Sequence, residues 1–185
     1  MIDDFISDAV RRMDKSVEAT QHEFNSVRTG RASAALLDRI HVEYYGQATP
    51  LKQLATINVP EPRLLTVQPF DPTSLKGIEK AIMESDLGLQ PANDGKLIRL
   101  PIPQLTEERR QELAKFVRHL AEEGRVAVRN VRRDVMHHLK ELVDSGQVGV
   151  DEEHRAEDRV QKLTDEHVHT IDELLKKKES EIMEV

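Results

Sequence analysis

LTEERRQELAKFVRHLAEEGRVAVRNVRRDVMHHLKELVD, residues 105–144, is the stretch on which the fold turns. Leu113, Val117, Leu120, Gly124, Ala127, Val131, Val135, His138 and Leu142 follow one another at intervals of three or four residues. That spacing predicts a single helix near 107–144 with one buried seam. At 1.5 Å per residue such a helix is about 57 Å long, too long for a compact globule of this size. Its ends fit the same reading. Thr106 is placed to cap the start, Glu107 and Glu108 complement the positive end of the dipole, and Lys140 lies late. Gly146 is a natural stop.

Outward from this helix, two more segments carry the same period. Before it, Ile6, Ala9, Met13, Ser16, Thr20, Phe24 and Val27 line one face, with Asp3 and Asp4 early, Arg28 late and Gly30 as the expected stop. After it, Val160, Leu163, His167, Ile171, Leu174, Lys178 and Ile182 continue less cleanly from an expected cap at Asp151. Spacing sustained over roughly four or five heptads favours helices packed near parallel at about 20°. The short Ser145–Val150 connection should fold the third helix back antiparallel to the second.

Residues 31–105 have another texture, for all eight prolines fall there. IHVEYY (40–45), ATINV (55–59), RLLTVQPF (63–70) and KLIRLPI (96–102) have strand character, and SLKGIEKAIMES (74–85) is a short amphipathic helix. Asn93-Asp94-Gly95 marks a turn before the last strand. The expected fold class is therefore α+β: a long antiparallel three-helix bundle from 1–30 and 105–185, with a small β/α/β domain, 31–104, inserted into it. Two chain crossings join them, near Gly30-Arg31 and near Gln104-Leu105.

Composition narrows the function. The 185 residues contain no Cys and no Trp, and 33 % are charged, as long solvated helices require. Absence of Cys removes thiolate and disulfide chemistry and fits a reducing compartment. The start, MIDDFISDAV, lacks the basic head of a signal peptide, and no apolar run exceeds the four residues 34–37. A soluble cytoplasmic protein without a membrane span is expected. The net charge of -7 argues against indiscriminate polyanion binding. Its distribution is uneven, because 146–185 holds twelve acidic against six basic residues, while 125–133 holds four arginines and no acid.

Those arginines form the sharpest chemical feature. At about 100° per residue, Arg118, Arg125, Arg129 and Arg132 span some 60° of the helix, with Arg133 to one side and the apolar seam expected on the opposite half. Such a row suits a phosphate backbone, where guanidinium groups bind in bidentate fashion. It equally suits a solvated face with i,i+4 pairs such as Arg118 with Glu122; spacing alone does not decide. Catalysis finds no support. The paired carboxylates already serve the helix dipoles, and His137-His138 and His167/His169 are wrongly spaced for shared ligation, so no metal site is expected. Gly30-Arg-Ala-Ser33-Ala34 lacks the glycines of a nucleophile elbow, and no Walker or dinucleotide pattern occurs. No cofactor is expected. A structural adaptor working through the acidic third helix remains the alternative to RNA binding.

Taken in order, VRTGRAS (27–33), VEYYGQATPLKQLA (42–55), VPEPR (59–63), SDLGL (85–89), NDG (93–95), LTEERR (105–110), RVAVRNVRRD (125–134) and QKLTD (161–165) closely resemble the ribosome recycling factor family from end to end. The resemblance implies an L-shaped monomer with a hinge between rod and inserted domain. It implies binding to the large ribosomal subunit after termination. With elongation factor G and GTP, the subunits would be split and mRNA and tRNA released. The factor itself would not be an enzyme. By motif, the implied contacts to ribosomal RNA are Arg110, Arg129 and Arg132, joined by Arg28, Arg125, Asn130 and Arg133; the implied hinge is Gly30, Arg31, Gln104 and Leu105. Ala34 departs from the family, where a proline is common after RTGRAS, and GQVGV (146–150) differs from the commoner turn. Ala at 34 leaves φ unfixed at the exit of the hinge.

Overall fold

The computed structural model describes residues 1–184. The chain forms two compact units, one made of Met1–Phe24 with the chain from Glu112 onward, the other of Asn25–Gln111.

The first unit consists of α1 (Ile2–Asn25), the greater part of α4 (Glu107–Asp144) and α5 (Val150–Met183). Contacts fix their directions. Between α4 and α5, Arg118 meets Glu179, Arg125 meets Asp172 and Arg132 meets Gln161, so numbers fall along one helix as they rise along the other. Arg12 with Asp134 and Phe5 with His138 show the same antiparallel order for α1 and α4. Asp3 with Arg159 and Asp14 with His167 make α1 and α5 parallel. The seam is aliphatic, with Ile6, Ala9, Met13 and Phe24 buried on α1, Val117, Ala121, Val128, Val135 and Leu139 on α4, and Ala156, Val160, Ile171 and Ile182 on α5. The seam of α4 is wider than expected, for Ala114, Ala121, Val128 and Leu139 are buried beside it, while Ala127 is half-buried and His138 exposed.

The helix ends show what the chain chose. Thr106 Oγ1 accepts from Arg109 N at 3.1 Å, as an N-cap should. At the far end, Gly146 N donates to Val143 O and Gln147 N to Leu142 O, both at 2.9 Å, with Gly146 at φ +73. This is a Schellman stop. Two expected ends move. α5 is capped by Gly149 rather than Asp151, which leaves Asp151, Glu152 and Glu153 in the first turn as dipole complements. α1 ends at Asn25, ahead of Gly30.

The second unit holds a hairpin, β1 (His41–Tyr44) with β2 (Gln47–Pro50), then a helical turn α2 (Leu51–Leu54). Four further strands, β3 (Ala55–Glu61), β4 (Leu64–Pro69), β5 (Ala92–Asn93) and β6 (Ile98–Pro101), form an antiparallel sheet in the order β3-β4-β6-β5. The helix α3 (Leu75–Glu84) packs toward β1, with Gly77 beside Val42. Strand β6 alternates buried Ile98 and Leu100 with exposed Arg99 and Pro101, the pattern of a one-sided core. Leu37, Val42, Leu51, Leu65, Val67, Ile78 and Ile82 complete that core. The Asn93–Gly95 turn forms as expected, with Asp94 Oδ1 accepting from Lys96 N and Leu97 N. Those backbone donors hold the Asp94 carboxyl below its ordinary value.

Candidate nucleic-acid interface

On α4 the arginine stripe does not lie opposite the seam. The buried residues centre about 90° round the helix from it, so the stripe runs along the flank that faces α5. Arg118, Arg125 and Arg132 are spaced seven apart. Seven-residue spacing beside a seam is the flanking position from which side chains reach the neighbouring helix. They do reach it. Arg118 Nε donates to Glu179 Oε1 at 3.1 Å. Arg125 Nε donates to Asp172 Oδ1 at 2.7 Å, and its Nη1 to Glu122 Oε2 at 2.9 Å. Burial acts to lower the Arg125 pKa, but these two carboxylates outweigh it and carry the group above its ordinary value.

Arg132 differs. Its Nη1 donates to the neutral Gln161 Oε1 at 2.7 Å, and its Nε is buried without a hydrogen-bond partner. Arg129 points further outward, half exposed, with Glu122 Oε1 at 3.4 Å. Asn130 and Arg133 are exposed, the latter beside Asp134. The pair expected between Arg118 and Glu122 does not form; Glu122 serves Arg125 and Arg129 instead.

The remaining residues of the expected set lie in the other unit. Arg110 is only 8 % exposed, and its Nε finds no acceptor. Arg28 Nη1 donates to Leu87 O at 3.0 Å. Gly30 stands at φ +82, and a Cβ there would lie 3.4 Å from Leu105 Cγ, so the first expected hinge residue packs on the last. Both crossings are fastened to the β3–β4 turn: Ala32 N donates to Pro62 O at 2.7 Å and Ile102 N to Arg63 O at 2.8 Å. Arg31 and Gln104 are exposed. Ala34 opens a 3-10 turn, Ala34–Leu37, capped by Ser33 through Ala35 N.

Sequence reasoning missed the residues of α5 that sort these arginines: Gln161, Asp165, Asp172 and Glu179. The heptad spacing of Arg118, Arg125 and Arg132 was the available signal. Among the described residues, no group of three or more His, Asp or Glu side chains is placed to hold a metal ion, and no helix is long and apolar enough to cross a membrane.

These pieces define an α+β protein in which three long helices carry a cation-lined flank and a small antiparallel sheet unit is inserted after the first. The chain belongs to the ribosome recycling factor family, whose family model matches residues 20–183. It is 61 % identical over 180 residues to the ribosome-recycling factor of Rubrobacter xylanophilus, covering 97 % of each chain. To that of Chloroflexus aurantiacus it is 51 % identical over the full length of both. The solution structure of a ribosome recycling factor superposes with a TM-score of 0.82 at 44 % identity, covering 100 % of this chain and 98 % of that one. The T. thermophilus factor, in models with E. coli elongation factor G bound to the E. coli post-termination complex, gives 0.71 at 47 % identity, with both chains fully covered.

Proposed function

We propose that this protein recycles ribosomes. It binds the post-termination ribosome through the large subunit and, with elongation factor G and GTP, splits it, releasing mRNA and tRNA. The single observation that carries this reading is similarity to recycling factors along the entire length of the chain. It works in the cytoplasm as a monomer, needs no cofactor, and itself makes or breaks no covalent bond.

Within this reading the contact to ribosomal RNA centres on Arg129, Arg132 and Arg133, with Asn130 beside them. Arg132 is held by the neutral Gln161 and Arg129 by Glu122 at 3.4 Å, and guanidinium groups recognise phosphate oxygens well. Arg125, with two carboxylates, serves the bundle first. Arg28 is committed to the Leu87 carbonyl and Arg110 to burial, so each contributes less. Gly30, Arg31, Gln104 and Leu105 form the hinge through which the GTPase's push reaches the rod.

The test is a sucrose-gradient assay of post-termination complexes with this protein, elongation factor G and GTP. Free subunits should appear only when all three are present. An unchanged fraction of intact ribosomes would remove the function. Arg132→Ala should weaken large-subunit binding and flatten its salt dependence by about 0.7–0.9 log units per lost phosphate contact.

A further inference from the structure

QKLTD, 161–165, is one of the strings that mark the family. It lies on α5 against the arginine flank. Gln161 Oε1 accepts from Arg132 Nη1 at 2.7 Å, and Gln161 Nε2 donates to Asp165 Oδ1 at 2.9 Å, one helical turn further on. We propose that Gln161, oriented by Asp165, is a positioning residue that presents Arg132 to an RNA phosphate without neutralising it. This rests on the reading of the flank as the contact to ribosomal RNA.

The three heptad-spaced arginines receive different treatment from α5. Arg118 and Arg125 meet carboxylates, which fix the side chain and cancel its charge together. Arg132 meets an amide, which fixes it and leaves the charge whole. An amide presents either its oxygen or its nitrogen, so something must choose. A carboxylate only accepts, and therefore Asp165 claims the Gln161 nitrogen and turns the oxygen toward Arg132. Were the amide reversed, its N–H would confront a guanidinium N–H and the contact would fail.

The guanidinium inventory agrees. Of five N–H groups, that on Nε is buried without an acceptor and one on Nη1 goes to Gln161, which leaves three uncommitted. Paired guanidinium N–H groups are the ones that grip phosphate. A cation held by a neutral acceptor with N–H groups to spare is preorganised for an anion, so less freedom is lost on binding.

The experiment measures binding of the full chain to purified bacterial large subunits across a salt series, alongside thermal unfolding. Gln161→Glu keeps the contact but adds the charge that Arg118 and Arg125 already face. Binding should fall on the order of tenfold and the salt slope should flatten by about 0.7–0.9, as for one lost phosphate contact, while the unfolding midpoint shifts little, the new ion pair with Arg132 offsetting repulsion from Asp165. A merely structural role would move the midpoint and leave the slope. Gln161→Met keeps the bulk and adds no charge, so it should cause a smaller loss with the slope unchanged. The double variant Gln161→Glu/Arg132→Ala should bind no more weakly than Arg132→Ala alone, because Gln161 acts only through Arg132. Wild-type binding by both Gln161 variants, with Arg132→Ala weakened, would overturn the positioning role alone. If Arg132→Ala itself binds as the wild type does, the arginine contact falls and this inference falls with it.

Discussion

Gly124 shows how tightly the bundle is closed at its middle. A Cβ added there would collide with Thr20 Oγ1 on α1 and come within 3.2 Å of Ile171 Cδ1 on α5. Thr20 has little room to yield, since it is buried and its hydroxyl donates to Ser16 O at 3.0 Å. Two effects of Gly124→Ala then compete. Helix propensity favours alanine by about 1 kcal/mol. Overpacking a filled core costs about 1–3 kcal/mol. The collision should prevail, and Gly124→Ala should unfold at lower denaturant than the wild type. Adding Thr20→Ala removes the colliding oxygen and should return much of the loss, because the propensity gain remains. Denaturant titration of both variants checks this. A single variant more stable than the wild type would mean that Thr20 moves aside freely.

At the scale of elements, pairs between helices fix register, and the pH dependence of stability follows from them. Arg12 Nη2 on α1 donates to Asp134 Oδ2 on α4 at 2.7 Å. That hydrogen bond is the main reason the Asp134 carboxyl lies below its ordinary value, with the charges of Arg12, His138 and Arg133 adding to it. A carboxyl depressed in the folded state contributes stability above its unfolded pKa. The contribution is lost as pH falls through the lower folded value. Asp134→Asn should therefore be less stable than the wild type at pH 7, and the gap should narrow once pH falls below about 3.8 and close beneath the lower folded value. Chemical denaturation at several pH values reads the gap directly; one that persists at the acid end would assign the loss to packing. The same elements show what sequence makes legible. The bounds of α4 could be read because cap, acids, seam and stop glycine agree over 38 residues. Strand β2 could not, because its turn is Tyr45-Gly46, with both residues at positive φ, and tyrosine gives no warning of that conformation. The arginine row was visible but its facing was not. That depended on the register of α5, whose own seam is interrupted by polar His167 and half-buried Lys178.

For the whole molecule the difficulty is a net charge of -7 on a protein proposed to hold RNA. Residues 146–185 alone carry six more acidic than basic groups. Beyond a Debye length, about 8 Å at physiological salt, an approaching polyanion meets this summed charge and is repelled. Inside that distance it meets Arg129, Arg132 and Arg133. Encounter and grip should therefore respond to salt in opposite ways. Three phosphate contacts give an equilibrium slope of about −2 to −3 in log K against log salt. The association rate carries the long-range repulsion, so added salt should leave it flat or raise it. The weakening then falls on dissociation, which should quicken steeply. Stopped-flow binding to large subunits between 50 and 200 mM salt, on the order of the range where such slopes are measured, separates the two rates. An association rate that drops sharply with salt would indicate steering by a basic surface and would deny the repulsion. The expected pattern would instead make this a factor that associates without electrostatic attraction at range and is retained by a few well-placed guanidinium groups. For a protein that must leave the ribosome after each round, such a division favours release over capture.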